Sequence, residues 1–141
     1  MCGIVGYIGK QKALPIIMDG LLKMEYRGYD SAGVALVENG ILSVFKKQGK
    51  LSNLKNAIDS KEFNSCIGIG HIRWATHGEP SDINAHPHSD CQKNIAIVHN
   101  GIIENITQLK ELLQKQGHIF VSQTDSEVLA HLIETYYQGN N

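Results

Sequence analysis

The sequence predicts an α+β domain, with antiparallel strands and helices covering a face. Three observations carry that expectation. Two β-rich runs, 33–38 and 41–47, flank Asn39-Gly40, the strongest short-range mark of a two-residue hairpin. Leu14, Ile17, Met18, Leu21 and Leu22 keep the i, i+3, i+4, i+7, i+8 spacing of a helix with one apolar face. Polar starts at Asn105 and Thr124 open two further helices.

Residues 2–8 read as a buried strand leading into the 14–22 helix, where Pro15 fits only in the first turn. After the hairpin, a short helix over 52–59 takes Ser52 as its cap. Strands over 66–73 and 95–98 follow. Gly68 and Gly70, inside the first of these, mark a bulge or the close approach of another backbone. Between the strands, 74–93 is rich in His, Pro, Asp, Ser and Asn and has no period. A loop of that length in a compact domain is functional or disordered. Asn105 with Gln108 resembles a capping box, opening a helix through Leu109, Leu112 and Leu113 that stops at Gly117. Thr124-Asp125-Ser126-Glu127 is a cleaner box. It launches a helix whose apolar face is Val128, Leu129, Leu132, Ile133 and Tyr136. There are no repeats or linkers, so residues 1–141 read as one domain.

Thirteen basic against fourteen acidic residues leave no field for a nucleic acid or a membrane surface. Three cysteines, Cys2, Cys66 and Cys91, form no disulfide framework, and with no signal segment the expectation is a cytoplasmic protein. No apolar run approaches membrane-spanning length. The sequon at Asn105 is taken as chance.

Cys2 is the first candidate for chemistry. Once Met1 is removed, it carries a thiol and a free α-amine on one residue, the nucleophile and base of an N-terminal nucleophile enzyme. A small buried residue opening a strand is the plainer reading. Three polar segments, 27–33, 73–79 and 99–101, interrupt the strands and could present side chains to a ligand. Arg73 beside Trp74 suits a carboxylate clamp, and suits a surface ion pair equally well. Asn100-Gly101 offers an amide and a backbone N–H to a developing oxyanion, but is also a turn dipeptide. Asp125 is a first-turn acid that a substrate ammonium could also use. His71, His77, His86 and His88, with Cys66 and Cys91, match neither a Cys-x2-Cys nor a helical His-x3-His spacing. No metal is expected, and the lack of a Gly-rich phosphate cradle leaves no cofactor expected either.

Six ordered segments carry a resemblance. They are Met1-Cys2-Gly3-Ile4-Val5-Gly6, Tyr26 to Gly33, Gly70 to Gly78, Asn84-Ala85-His86-Pro87-His88, Val98 to Asn105, and Thr124-Asp125-Ser126-Glu127. Together they resemble the class II glutamine amidotransferase domain. Within that family they look like the hexosamine-forming branch, which moves the glutamine amide nitrogen to fructose 6-phosphate. The purine amidophosphoribosyltransferase branch differs at the second and third segments. The resemblance implies the Ntn-hydrolase αββα four-layer sandwich, with only its N-terminal portion here and the sugar-phosphate isomerase domains absent. It implies L-glutamine as substrate, a homodimer for the full-length enzyme, and neither metal nor cofactor.

It also implies roles. Cys2 is the nucleophile and, after Met1 removal, its own base; Asn100 and Gly101 form the oxyanion hole. Arg73 holds the substrate carboxylate and Asp125 its ammonium, Thr76 and His77 belong to the binding wall, and Trp74 gates ammonia transfer. The competing expectation is an inactive or partly folded module that at most associates with other chains.

Overall fold

A computed structural model describes residues 1–75 and 78–137. Its strands and helices follow in the order β1 Gly3–Ile8, α1 Ala13–Met24, β2 Ser31–Glu38, β3 Ile41–Gln48, α2 Leu51–Ile58, β4 Ile67–Arg73, β5 His88–Ser89, β6 Ala96–Ile97, α3 Ile106–Lys115 and α4 Glu127–Tyr136. β1, β4, β2 and β3, in that order, form one antiparallel sheet, and β5 and β6 form a second, two-stranded one.

Local chemistry explains much of this. Asn39 and Gly40 have φ of 52° and 75°, the positive values that a two-residue hairpin turn requires. Pro15 sits in the first turn of α1, where its missing N–H is not needed, and the Ala13 N–H bonds instead to the Ser65 carbonyl at 2.8 Å. Gly117, at φ 96°, ends α3 in a Schellman motif. The His118 N–H reaches the Leu113 carbonyl and the Gly117 N–H that of Gln114, both at 3.0 Å.

The main core lies on one face of the four-stranded sheet. Ala32, Val34 and Leu36 of β2 and Ile72 of β4 meet Ala13, Ile17 and Leu21 of α1 and Leu51, Leu54 and Ile58 of α2. Ile17 is fully buried, which is worth about 1.5–3 kcal/mol relative to exposure. Gly68 and Gly70 contain no bulge, since β4 pairs without interruption to both neighbours. A Cβ at Gly70 would run into Ile17 and Leu21, so the missing side chain lets α1 approach closely. The expected close neighbour is thus helical side chains more than backbone.

The opposite sheet face is met by residues 84–88 and the β5–β6 pair, with α4 packed beyond them and α3 against α4. Helix, sheet, sheet, helix is therefore the layer order. The segment 84–88 read as loop from its composition, yet it is buried between layers and leads into β5. The strand expected over 95–98 is only the two-residue β6.

Three caps differ from the sequence reading. α2 begins one residue before Ser52, and its Leu51 N–H is taken by the Glu25 carboxylate at 2.8 Å, from the turn after α1. Asn105 makes no side-chain cap to α3. Thr124 turns its hydroxyl to His88 Nε2 at 2.8 Å, while Glu127 accepts the Val121 and Ser122 N–H groups at 2.8 and 2.7 Å. For α2 and for Thr124 a tertiary partner replaced the local one. The face of α4 differs as well. Glu127, Val128, Ala130 and His131 are buried, whereas Ile133 and Tyr136 are exposed.

Candidate functional site

The pleat of β4 decides which side chains reach the second layer. Ile72 points to α1, so His71 and Arg73, one residue to either side, face the other way. Gly3 pairs with Ile72 in β1, which brings Cys2 to the end of β4 beside Arg73 and Trp74. There the Trp74 N–H donates to Cys2 Sγ at 3.1 Å, and the thiol faces the Trp74 carbonyl at 3.4 Å. Asp30 fastens the same strand end. Its N–H donates to the Arg73 carbonyl at 2.9 Å and its carboxylate accepts the Ala75 N–H at 2.5 Å. Gly28, at φ 150°, backs onto the Trp74 ring, and a Cβ there would overlap the indole. Trp74 is otherwise half exposed.

Arg73 is buried, and its guanidinium donates to the Gly78 carbonyl at 3.1 Å and the Glu79 carbonyl at 3.5 Å. Burial draws its pKa down, while the charges of Cys2, Asp30 and Asp125 oppose that loss. Asp125 is buried too. It accepts the Ile103 N–H at 2.9 Å and the Ser126 hydroxyl at 3.4 Å, tying the 99–103 segment to the start of α4. His99 Nδ1 lies 3.1 Å from the Ser126 hydroxyl on the same seam.

Asn100 is held from below by a residue that sequence reasoning left unassigned. His71 Nε2 lies 2.6 Å from Asn100 Oδ1. His71 stacks on His86 with ring centroids 4.2 Å apart, and His86 meets His88 edge-on at 4.5 Å. Burial pushes His71 down to about 4 and His88 to about 3, and it lowers His86 further with help from its two neighbours. All three imidazoles are neutral near pH 7. A neutral His71 facing a carbonyl oxygen carries its proton on Nε2, so Asn100 Oδ1 is the acceptor. The Asn100 amide N–H groups are then left for the outside. The readable signal was position, because His71 shares the Arg73 face of a strand whose alternate residues go to the core.

Met1, Cys2, Arg73, Asn100, Gly101 and Asp125 line one cavity of about 310 Å³. The Met1 ammonium is held by the Arg27 carbonyl at 2.8 Å. Five of the residues expected at a site from sequence therefore meet around one space, and Trp74 joins them on its rim. Thr76 and His77 lie outside the described residues. Among the described residues, the histidines weighed as metal ligands do not share a centre with Cys66 and Cys91, and His77 lies outside them. His71, His86 and His88 stack in the interior, Cys66 Sγ faces the Asn64 carbonyl, and Cys91 lies beside α4.

Comparison with known proteins bears on this arrangement. The family model for the glutamine amidotransferase domain matches residues 57–139. The chain belongs to that family. It is 56% identical over 140 residues to the glutamine–fructose-6-phosphate aminotransferase (isomerizing) of Clostridium tetani and 58% identical to that of Aquifex aeolicus. Each alignment covers 99% of this chain but only 23% and 24% of the relative, so the chain spans about a quarter of their length. Among solved structures, the glutamine phosphoribosylpyrophosphate amidotransferase of B. subtilis superposes with a TM-score of 0.77 at 32% identity, over 95% of this chain and 29% of that one. A second, described as the allosteric regulatory enzyme of purine biosynthesis, gives 0.80 at 34% identity over the same shares. The α+β fold is that of the class II, Ntn-hydrolase glutamine amidotransferases. Within this amidotransferase domain, no helix among the described residues is long and apolar enough to cross a membrane.

Proposed function

We propose that this chain is the glutamine-hydrolysing part of an enzyme that moves the glutamine amide nitrogen to fructose 6-phosphate, forming glucosamine 6-phosphate. The observation that carries the reading is the shared cavity. A thiol, a buried cation, a buried carboxylate and the Asn100-Gly101 pair face one space. A zwitterionic amino acid with a terminal amide needs that set. Arg73 takes the α-carboxylate, Asp125 the α-ammonium, and the side-chain amide extends to Cys2.

In the reaction, Cys2 Sγ adds to the amide carbon, and its proton passes to the α-amine that removal of Met1 has exposed. The carbonyl oxygen becomes an oxyanion held by the Asn100 amide and the Gly101 N–H. The α-ammonium returns the proton to the leaving nitrogen, ammonia departs, and water cleaves the thioester to glutamate. While Met1 remains, the Cys2 nitrogen is a peptide amide and cannot take the proton. Met1 also lines the cavity, so its loss both frees the base and opens the space.

Thr76 and His77 complete the binding wall, and Trp74, packed on Gly28, gates ammonia toward sugar-phosphate isomerase domains in a cytoplasmic homodimer of the whole enzyme. The test is glutamate production by the chain with and without Met1. Activity confined to the form that starts at Cys2 supports the reading. Equal activity of both forms, or none in either, contradicts it.

A further inference from the structure

Away from the cavity, four metal-ligating side chains from three segments converge near the C-terminal end of α4. Cys91 comes from the turn between β5 and β6, His118 follows the glycine that ends α3, and His131 and Glu134 lie one helical turn apart on α4. One ligand atom from each lies within 4.8 Å of all the others. Cys91 Sγ is 3.6 Å from His131 Nδ1, which is 3.2 Å from Glu134 Oε2, and His118 Nδ1 is 2.8 Å from the same oxygen. The edges of a tetrahedral zinc site with ordinary bond lengths are about 3.6 Å for sulfur to nitrogen and about 3.4 Å for nitrogen to oxygen.

We propose that Cys91, His118, His131 and Glu134 form a structural site for a tetrahedral divalent cation of the zinc type. The donor set favours it: thiolate and imidazole select zinc over magnesium or calcium, which prefer all-oxygen shells. A thiolate and a carboxylate also balance the two positive charges. Four protein ligands leave no open position, so the site is structural rather than catalytic.

The surroundings of the ligands fit the same role. For Nδ1 to bind a metal, each histidine must carry its proton on Nε2 and find an acceptor there. His131 Nε2 has Glu127 Oε1 at 3.4 Å, a carboxylate–histidine pairing, and His118 Nε2 has the Thr135 hydroxyl at 3.1 Å. Cys91 Sγ receives the Ile119 N–H at 3.4 Å, the kind of contact that steadies a thiolate. The cation would also sit in the negative field of the α4 C-terminus. Bound there, it staples the β5–β6 turn and the α3–α4 connection to the helix whose other end carries Asp125. Cys91 would lose one proton to solvent, so affinity rises with pH. The inference does not depend on the proposed glutaminase chemistry.

The experiment is titration of the reduced, chelator-treated chain with cobalt(II) and then zinc(II). One equivalent of cobalt should give a thiolate-to-cobalt charge-transfer band and intense tetrahedral d–d absorption, both removed by zinc, and zinc should raise the melting temperature. Cys91→Ser should abolish the charge-transfer band. Glu134→Gln should keep it but weaken binding about tenfold or more. Cys66→Ser should change neither. Cys91 is exposed, so its serine variant can be checked for native circular dichroism before titration. Absence of the band in the unmodified chain, its survival in natively folded Cys91→Ser, or its loss in Cys66→Ser would overturn the proposal.

Discussion

Asp125→Asn separates the charge of this residue from its place in the fold. Asparagine keeps an oxygen for the Ile103 N–H, now 2.9 Å from the carboxylate, so the link between the 99–103 segment and α4 survives. Only the charge offered to a substrate ammonium is lost. Two unit charges at about 4 Å are worth about 1 kcal/mol in water and about 4 kcal/mol at the effective dielectric of a protein site. Asp125 is 5% exposed, which places the loss in the upper part of that range, about 2–4 kcal/mol. That is about 30- to 1,000-fold in Kd. The assay is calorimetric binding of L-glutamine to a Cys2→Ala chain freed of Met1, where no turnover occurs. Glutaramate, which has the amide and carboxylate but no ammonium, is the comparison ligand. Asp125→Asn should lose glutamine binding by that factor and leave glutaramate within about threefold. Equal loss for both ligands, or no loss for either, would refute an ammonium-binding Asp125.

Two further outcomes follow from the layers beneath the cavity. His71 and His88 titrate at about 4 and about 3 in the fold, against about 6.5 unfolded. Between those values the unfolded chain binds protons that the folded chain does not, so stability falls as pH drops. His71 alone should lose on the order of 3 kcal/mol by pH 4. Glu127 joins that loss only below about pH 4.5, its ordinary value. Burial pushes it up, but bonds from His131, Ser122 and two backbone N–H groups outweigh burial and hold it near 2, so its contribution is lost between about pH 4.5 and about 2. A urea midpoint that stays flat from about pH 7 to about 4.5 would contradict the neutral histidine stack. Gly28→Ala should cost more than about 1 kcal/mol, because φ is 150° and the new Cβ meets Trp74. Trp74 is the sole tryptophan, so its emission should shift as well, and an unchanged spectrum and midpoint would count against that packing.

Features set by neighbouring residues were readable in the sequence. The Asn39-Gly40 hairpin, the Pro15 start of α1 and the Gly117 stop of α3 each depend on one or two φ values. Caps were not, because Glu25 reaches α2 from 26 residues away and Thr124 turns to His88. The burial of 84–88 was hidden by its polarity. Asn84, His86 and His88 are inside because their polar atoms and rings meet Gln123, His71 and Thr124 across the layers. Cys2, Arg73, Asn100 and Asp125 stood out by type and setting, but their common cavity has no local signature, and the strand alternation that puts His71 on the Arg73 face does not show that it meets Asn100. The Cys91, His118, His131 and Glu134 cluster was missed for the same reason. Only the last two are neighbours in sequence, three residues apart, and of the four only Cys91 was among the side chains weighed as ligands.

The proposed mechanism makes Cys2, and no other thiol, the nucleophile of a glutamine site once Met1 has gone. Intact and peptide mass spectrometry after exposure to an electrophilic glutamine analogue tests it most directly. One adduct is expected on Cys2 of the chain that begins there, suppressed by excess L-glutamine, with Cys66 and Cys91 unmodified. An adduct spread over the three cysteines, or none on a Cys2 that starts the chain, would contradict it.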